Sequence, residues 1–180
     1  MDSGIAILSA AISAAISAAS SPVSYAILAM SIATRLVRRG PVSAWLFGLP
    51  GIIVHEMSHW AVAKLTGGRP MNYRPWPGRM EDGAWALGTV AITRLTWFNG
   101  APIGLAPLLM NGLALWGWAE LVTRAVAVTE PMFWWGSYLV AIALADGWPS
   151  RADYRIAGHS LTGIVVWCGI GYIVFRGITG

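Results

Sequence analysis

Long apolar runs, broken only by brief polar punctuation, most constrain what this chain can become. They occupy residues 4–20, 23–37, 42–65, 98–121, 131–147 and 156–175. Charged residues make up 11% of the sequence, against about 25% in a typical soluble domain. So few charges cannot cover a water-facing surface, and lipid is expected to form part of the solvent. The expected fold class is an all-α membrane protein of about four to six transmembrane helices. It forms a single domain over residues 1–180, multi-pass and integral to what is read as a prokaryotic cell membrane.

The aromatic residues fit that expectation. Trp45, Trp76, Trp97, Trp116, Trp118, Trp134, Trp135 and Trp148 cluster where apolar runs end, and such rings favour the headgroup zone. The net charge of +4 comes almost wholly from arginine, Lys64 being the only lysine. Those arginines form no basic stripe interleaved with aromatics, which argues against a nucleic-acid partner. They read as topology signals and headgroup contacts. Cys168 is the only cysteine; it permits no intrachain disulfide and no cysteine-based zinc site, and reads as packing.

Local signals divide the chain further. Ile5, Leu8, Ile12 and Ile16 recur at helical spacing, and the first charge is Asp2, so a cleaved signal peptide is not expected. Pro22 leaves two readings open for the first forty residues, two short helices or one kinked one. Residues 66–96 are rich in Gly, Pro and Arg and are expected to form a loop or a short β-hairpin, with a strand over 86–93. Arg35, Arg38 and Arg39 and then Arg69, Arg74 and Arg79 favour the same membrane side. A simple helical hairpin cannot satisfy both groups, so either 66–96 dips back into the membrane or the first two runs are arranged unusually, and the orientation stays open.

The chemistry-bearing string is His55-Glu56-Met57-Ser58-His59, in the middle of an apolar run. Histidines four apart project from one helix face and can bind one Zn²⁺ at about 2.0–2.1 Å. Glu56 can reach a water at that site without ligating the metal, and can act as general base. Ionisable groups at such a place are costly and usually functional. A catalytic zinc needs a third protein ligand. Asp146 ends a strongly apolar run and ranks first, Asp153 second and His159 third. Asp153 follows Ser150 by three, which also suits a capping box.

A helix-borne H-E-x-x-H followed about ninety residues later by Asp146-Gly147 resembles the site-2 protease family of intramembrane zinc metalloproteases. The resemblance covers about residues 42–156, leaving 1–40 as an N-terminal helical segment outside the core and 156–176 as a C-terminal helix. It implies a zinc endopeptidase that cleaves membrane-embedded or membrane-proximal segments of membrane proteins. Carried over, zinc falls on His55, His59 and Asp146, and the catalytic base on Glu56. The segment Pro149-Ser150-Arg151-Ala152-Asp153 resembles a signature of small bacterial and archaeal relatives, so Asp153 stays an alternative ligand. Ala143-Leu144-Ala145 stands before Asp146 where the family pattern has Asn and Pro, and no separate soluble substrate-binding domain is expected.

Asn111 is a candidate for substrate binding, orienting substrate or a developing oxyanion, whereas Asn99 precedes Gly100 and is expected to turn. The 86–93 strand offers an edge to an unwound substrate. The alternative function is a catalytically silent subunit of a larger membrane complex. A homo-oligomer is also compatible with the sequence, and metal transport fits poorly because other intramembrane ligands are few.

Overall fold

A computed structural model describes all residues except Met1, Glu81, Asp82, Ala84, His159 and Gly180. Its elements run α1 (Asp2–Ala19), α2 (Pro22–Val37), α3 (Pro41–Leu65), β1 (Pro70–Arg74), β2 (Gly78–Arg79), β3 (Trp85–Ala86) and β4 (Thr89–Ile92). They continue through α4 (Gly100–Gly104), α5 (Leu108–Thr123), α6 (Pro131–Asp146), α7 (Arg151–Gly158) and α8 (Leu161–Thr179).

Proline and serine set the first boundaries. Pro22 occupies the first turn of α2, where its missing N–H costs nothing. Ser21 caps that helix by accepting from the Ser24 N–H at 3.2 Å. Residues 1–40 therefore hold two helices, bent by 51° at the break. Pro107 splits the 98–121 run into a five-residue α4 and a sixteen-residue α5, because a prolyl ring clashes with the preceding turn.

The expected four to six transmembrane helices are not what the chain forms. Among the described residues only Thr162–Thr179 of α8 is a helix long and apolar enough to cross a membrane, or two such elements if α1 and α2 count as one bent span. The physical reason is length and interruption. Helices α5 and α6 have 16 residues each, about 24 Å of rise against a hydrocarbon core of about 30 Å. Helix α3 has 25 residues, but His55, Glu56, Ser58 and His59 lie in its apolar stretch.

Residues 66–96 fold as two short antiparallel pairs, β1 with β4 and β2 with β3. The register of β1 against β4 shifts between Met71 and Arg74. Asn72 in that bulge has φ +50°, a left-handed conformation that asparagine tolerates better than most residues.

The core lies between α2, α5 and α6, where Val23, Ile27, Ala114, Leu121, Phe133, Val140 and Ala141 are buried together. The indole N–H of Trp118 donates to Ser24 Oγ at 2.9 Å across the α2–α5 contact. Helix α2, which precedes the stretch covered by the family resemblance, is thus part of the packed core. A second layer joins α4 to α7. A side chain on Gly104 would collide with the Asp153 carbonyl and stand 2.7 Å from the Ala157 nitrogen, and one on Gly100 would stand 3.0 Å from the Ile156 carbonyl. Glycines four apart let the two backbones touch. Helix α8 leans on the start of α4 through the Trp167 indole, which donates to the Phe98 carbonyl at 2.9 Å.

Candidate metal centre

Helix α3 places His55 and His59 one turn apart, and their rings lie edge to face with centroids 5.0 Å apart. Each ring is held from behind. His55 Nδ1 lies 2.7 Å from the Asp146 carbonyl at the end of α6, and His59 Nδ1 lies 2.7 Å from the Ile103 carbonyl in α4. A carbonyl only accepts, so both Nδ1 atoms carry the proton, and a neutral ring then directs its Nε2 lone pair forward. Such backbone-oriented imidazoles are the usual outer support of metal ligands.

The forward atoms converge. The two Nε2 atoms are 3.3 Å apart. Asp153 Oδ1 is 3.1 Å from His59 Nε2, and Oδ2 is 3.5 Å from His55 Nε2. Two lone pairs and a carboxylate facing one another repel unless a cation stands among them. Donors of a tetrahedral site at about 2.0–2.1 Å from the metal lie roughly 3.3–3.4 Å from each other. His55, His59 and Asp153 fit that spacing and could hold a metal ion.

Asp153 reaches this place from the first turn of α7. Its Oδ2 accepts from the Ser150 N–H at 2.6 Å, and its own N–H donates to Ser150 Oγ at 3.2 Å. The capping box expected from sequence and the metal-facing carboxylate are the same group. Burial by itself would raise the Asp153 carboxyl. Against that, the Ser150 N–H that Oδ2 accepts and positive charge among the two facing Nε2 atoms, whether a proton or a cation, hold the group below the usual carboxylate range.

Asp146, ranked first from sequence, is not the carboxylate brought to the histidines. Arg38 engages it through two donors, Nη1 to Oδ1 at 2.6 Å and Nη2 to Oδ2 at 3.1 Å. The reason is local. Asp146 is the last residue of α6, its carboxylate is seated where Gly51 leaves no side chain, and the nearest cation is the guanidinium at the end of α2. What Asp146 gives the centre is its backbone carbonyl. His159, the third option, lies outside the described residues.

Glu56 lines the same cavity as the two histidines and Asp153, a space of about 1240 Å³ walled on one side by residues 86–92. Gly88 makes room for it, since a Cβ there would stand 2.8 Å from Glu56 Cγ and 3.2 Å from Oε1. Asn111 does not line that cavity. Its amide donates to the Gly147 carbonyl at 3.3 Å, so it braces the turn after α6. Asn99 is buried and knits a turn, accepting from the Thr96 N–H at 2.7 Å and donating to the Arg94 carbonyl at 3.0 Å. Cys168 is exposed on α8 and fills no core position.

Sequence reasoning missed Arg38, Gly88 and the carbonyl of Ile103. Backbone carbonyls and long-range arginine pairs leave no local trace. The Gly100/Gly104 spacing was the one available signal, a small-residue pair that invites a close helix. Comparison with protein-family models, with curated proteins and with solved structures finds no match for this chain.

Proposed function

We propose that this protein is a zinc-dependent endopeptidase that hydrolyses peptide bonds of membrane-embedded or membrane-proximal polypeptides, as the resemblance to the site-2 protease family implies. The observation that carries the reading is the convergence of His55 Nε2, His59 Nε2 and Asp153 within 4.8 Å of one another, with Glu56 on the same cavity wall. His₂-carboxylate is a donor set that suits zinc and leaves an open position. Zinc held there supplies Lewis-acid polarisation of a carbonyl and brings the pKa of water toward about 7.

The chain's own residues do the rest. His55 and His59 keep the Nδ1–H tautomer through their carbonyl partners and offer Nε2. Asp153 contributes negative charge and holds the start of α7 in place. Glu56 accepts a proton from the attacking water and returns it to the leaving amine. A purely structural metal site has no need of such a base, which favours an enzyme over a silent subunit.

Membrane association is supported by large apolar side chains that face outward. Leu113 and Trp116 of α5, Trp135 and Leu139 of α6, and Val165, Tyr172 and Ile173 of α8 are all more than half exposed. Exposed apolar side chains of this kind mark surfaces that meet lipid or protein. A substrate helix must unwind before cleavage, because its backbone groups are paired internally. Strand β4 beside the cavity offers an extended segment a backbone to pair with. Val90→Pro, which removes a donor N–H from β4, should slow cleavage without releasing metal; normal cleavage would remove this role.

The deciding experiment measures metal content and cleavage on detergent-purified protein, wild type beside Glu56→Gln, with a panel of single-span substrates. About one zinc per chain in both is expected, with cleavage reduced about 10²- to 10⁴-fold in the variant. Zinc in both with no cleavage by either would favour the silent subunit. A proton bridging the rings to Asp153 would satisfy the same atoms, and absence of zinc after reconstitution would select it.

A further inference from the structure

Arg38 reaches the metal centre from outside the segment that carries the motif. It is the C-cap of α2, and its guanidinium lies where Gly48 of α3 leaves space, since a Cβ there would stand 2.8 Å from Cζ. Nη2 also donates to the Phe47 carbonyl at 3.3 Å. The Arg38 and Asp146 side chains are only 14% and 17% exposed. An ion pair so secluded pays a desolvation cost that its attraction barely repays, so stability alone is a weak account of it. What the forked geometry does supply is position.

The position fixed is that of the last residue of α6. The backbone carbonyl of that same residue accepts the His55 Nδ1–H at 2.7 Å, and Asn111 holds the next carbonyl, that of Gly147, at 3.3 Å. The fork and the imidazole therefore bear on one residue from opposite ends of it, through side chain and main chain.

We propose that Arg38 and Asp146 form a positioning pair for the metal centre, clamping the end of α6 so that the Asp146 carbonyl keeps His55 in the Nδ1–H tautomer with Nε2 aimed at His59 and Asp153. This rests on the metal-centre reading above, though not on proteolysis. It gives Asp146 a role other than ligand and makes α2 a working part of the site.

The test is metal binding by the full-length protein in detergent, stripped and titrated with Zn²⁺ and with Co²⁺. It compares wild type, Arg38→Met, Arg38→Lys, Asp146→Asn and the Arg38→Met/Asp146→Asn double variant. Outer-shell partners typically change metal affinity about 10- to 100-fold. Losses of that order are expected for Arg38→Met and Asp146→Asn, with an altered Co²⁺ visible spectrum, and a smaller loss for Arg38→Lys, which keeps the charge but not the fork. The double variant should be no worse than the weaker single, because the two act as one unit. Should Arg38→Met fail to fold by circular dichroism, Arg38→Lys and Asp146→Asn carry the test.

Wild-type affinity and spectrum in the variants would overturn the pair while leaving the metal centre intact. Abolition of binding by Asp146→Asn with none by Arg38→Met would return Asp146 to the ligand set. Failure of the wild type to bind either metal would overturn the metal centre and the pair together.

Discussion

The end of α6 and the start of α7 each present an aspartate to the same motif, and they do opposite things with it. Asp146 spends its carboxylate on Arg38 and offers His55 its main chain. Asp153 spends its main-chain N–H on Ser150 and offers the histidines its carboxylate. Both sit where a glycine admits them, Gly51 against the Asp146 carboxylate and Gly104 against the Asp153 backbone. Depth in an apolar run does not decide which acid faces the two histidines. The nearest cation and the direction of the helix end decide it. A last helical residue can leave its carbonyl free of the helix for a donor, whereas a first-turn acid folds back toward its own cap.

The sharpest way to break the comparison is to neutralise each acid. Asp153→Asn removes a carboxylate of the proposed donor set and is expected to abolish stoichiometric zinc binding, as measured by metal analysis after gel filtration. Asp146→Asn should leave binding weakened but present. If the two variants exchange these outcomes, the assignment of roles is reversed.

How far the sequence goes can be judged on the same residues. The His55/His59 spacing and Glu56 were legible because a helix of period 3.6 brings i and i+4 together wherever it lies. Asp153 was legible only as an alternative, since its capping pattern explained it without a metal; in the structure one carboxylate serves both ends. Asp146 was overrated because hydropathy reports depth and not partner, and Arg38 lies 108 residues away. The span count failed for a related reason. Reading apolar runs joined α4 to α5 across Pro107 and credited the motif-bearing α3 as a span, while the β-branched residues of 66–96 signalled strand but not that the expected 86–93 strand divides into β3 and β4 of two separate pairs.

The two glycines give a smaller and more discriminating effect. At Gly104 an added Cβ meets backbone of α7, including the Ala157 nitrogen at 2.7 Å, and backbone cannot swing aside. Gly104→Ala should cost about 1–3 kcal/mol of stability, as overpacking does, partly offset by up to about 1 kcal/mol of helix propensity. At Gly51 the obstacle is the carboxylate of Asp146, a side chain that can move if the Arg38 fork gives way. Gly51→Ala should therefore be milder in thermal unfolding yet weaken zinc binding in the manner of Asp146→Asn. Equal stability losses with unchanged metal affinity at Gly51 would show that the fork tolerates displacement.

The smallest effect separates the two duties of Asp153. Ser150→Ala removes the hydroxyl that accepts the Asp153 N–H at 3.2 Å but leaves the Ser150 main-chain N–H that donates to Oδ2 at 2.6 Å. Loss of an N-cap hydroxyl costs about 0.5–2 kcal/mol, and here it falls on an eight-residue helix that is also held by α4 through Gly100 and Gly104. The stability loss should lie toward the low end of that range. Zinc affinity should change little, because the main-chain donor still orients the carboxylate and the histidines still face it. A large loss of zinc with Ser150→Ala would mean that the cap, and not the α4–α7 contact, sets where Asp153 stands. An unchanged melting temperature and unchanged zinc affinity would place the whole of that positioning on the two glycines of α4.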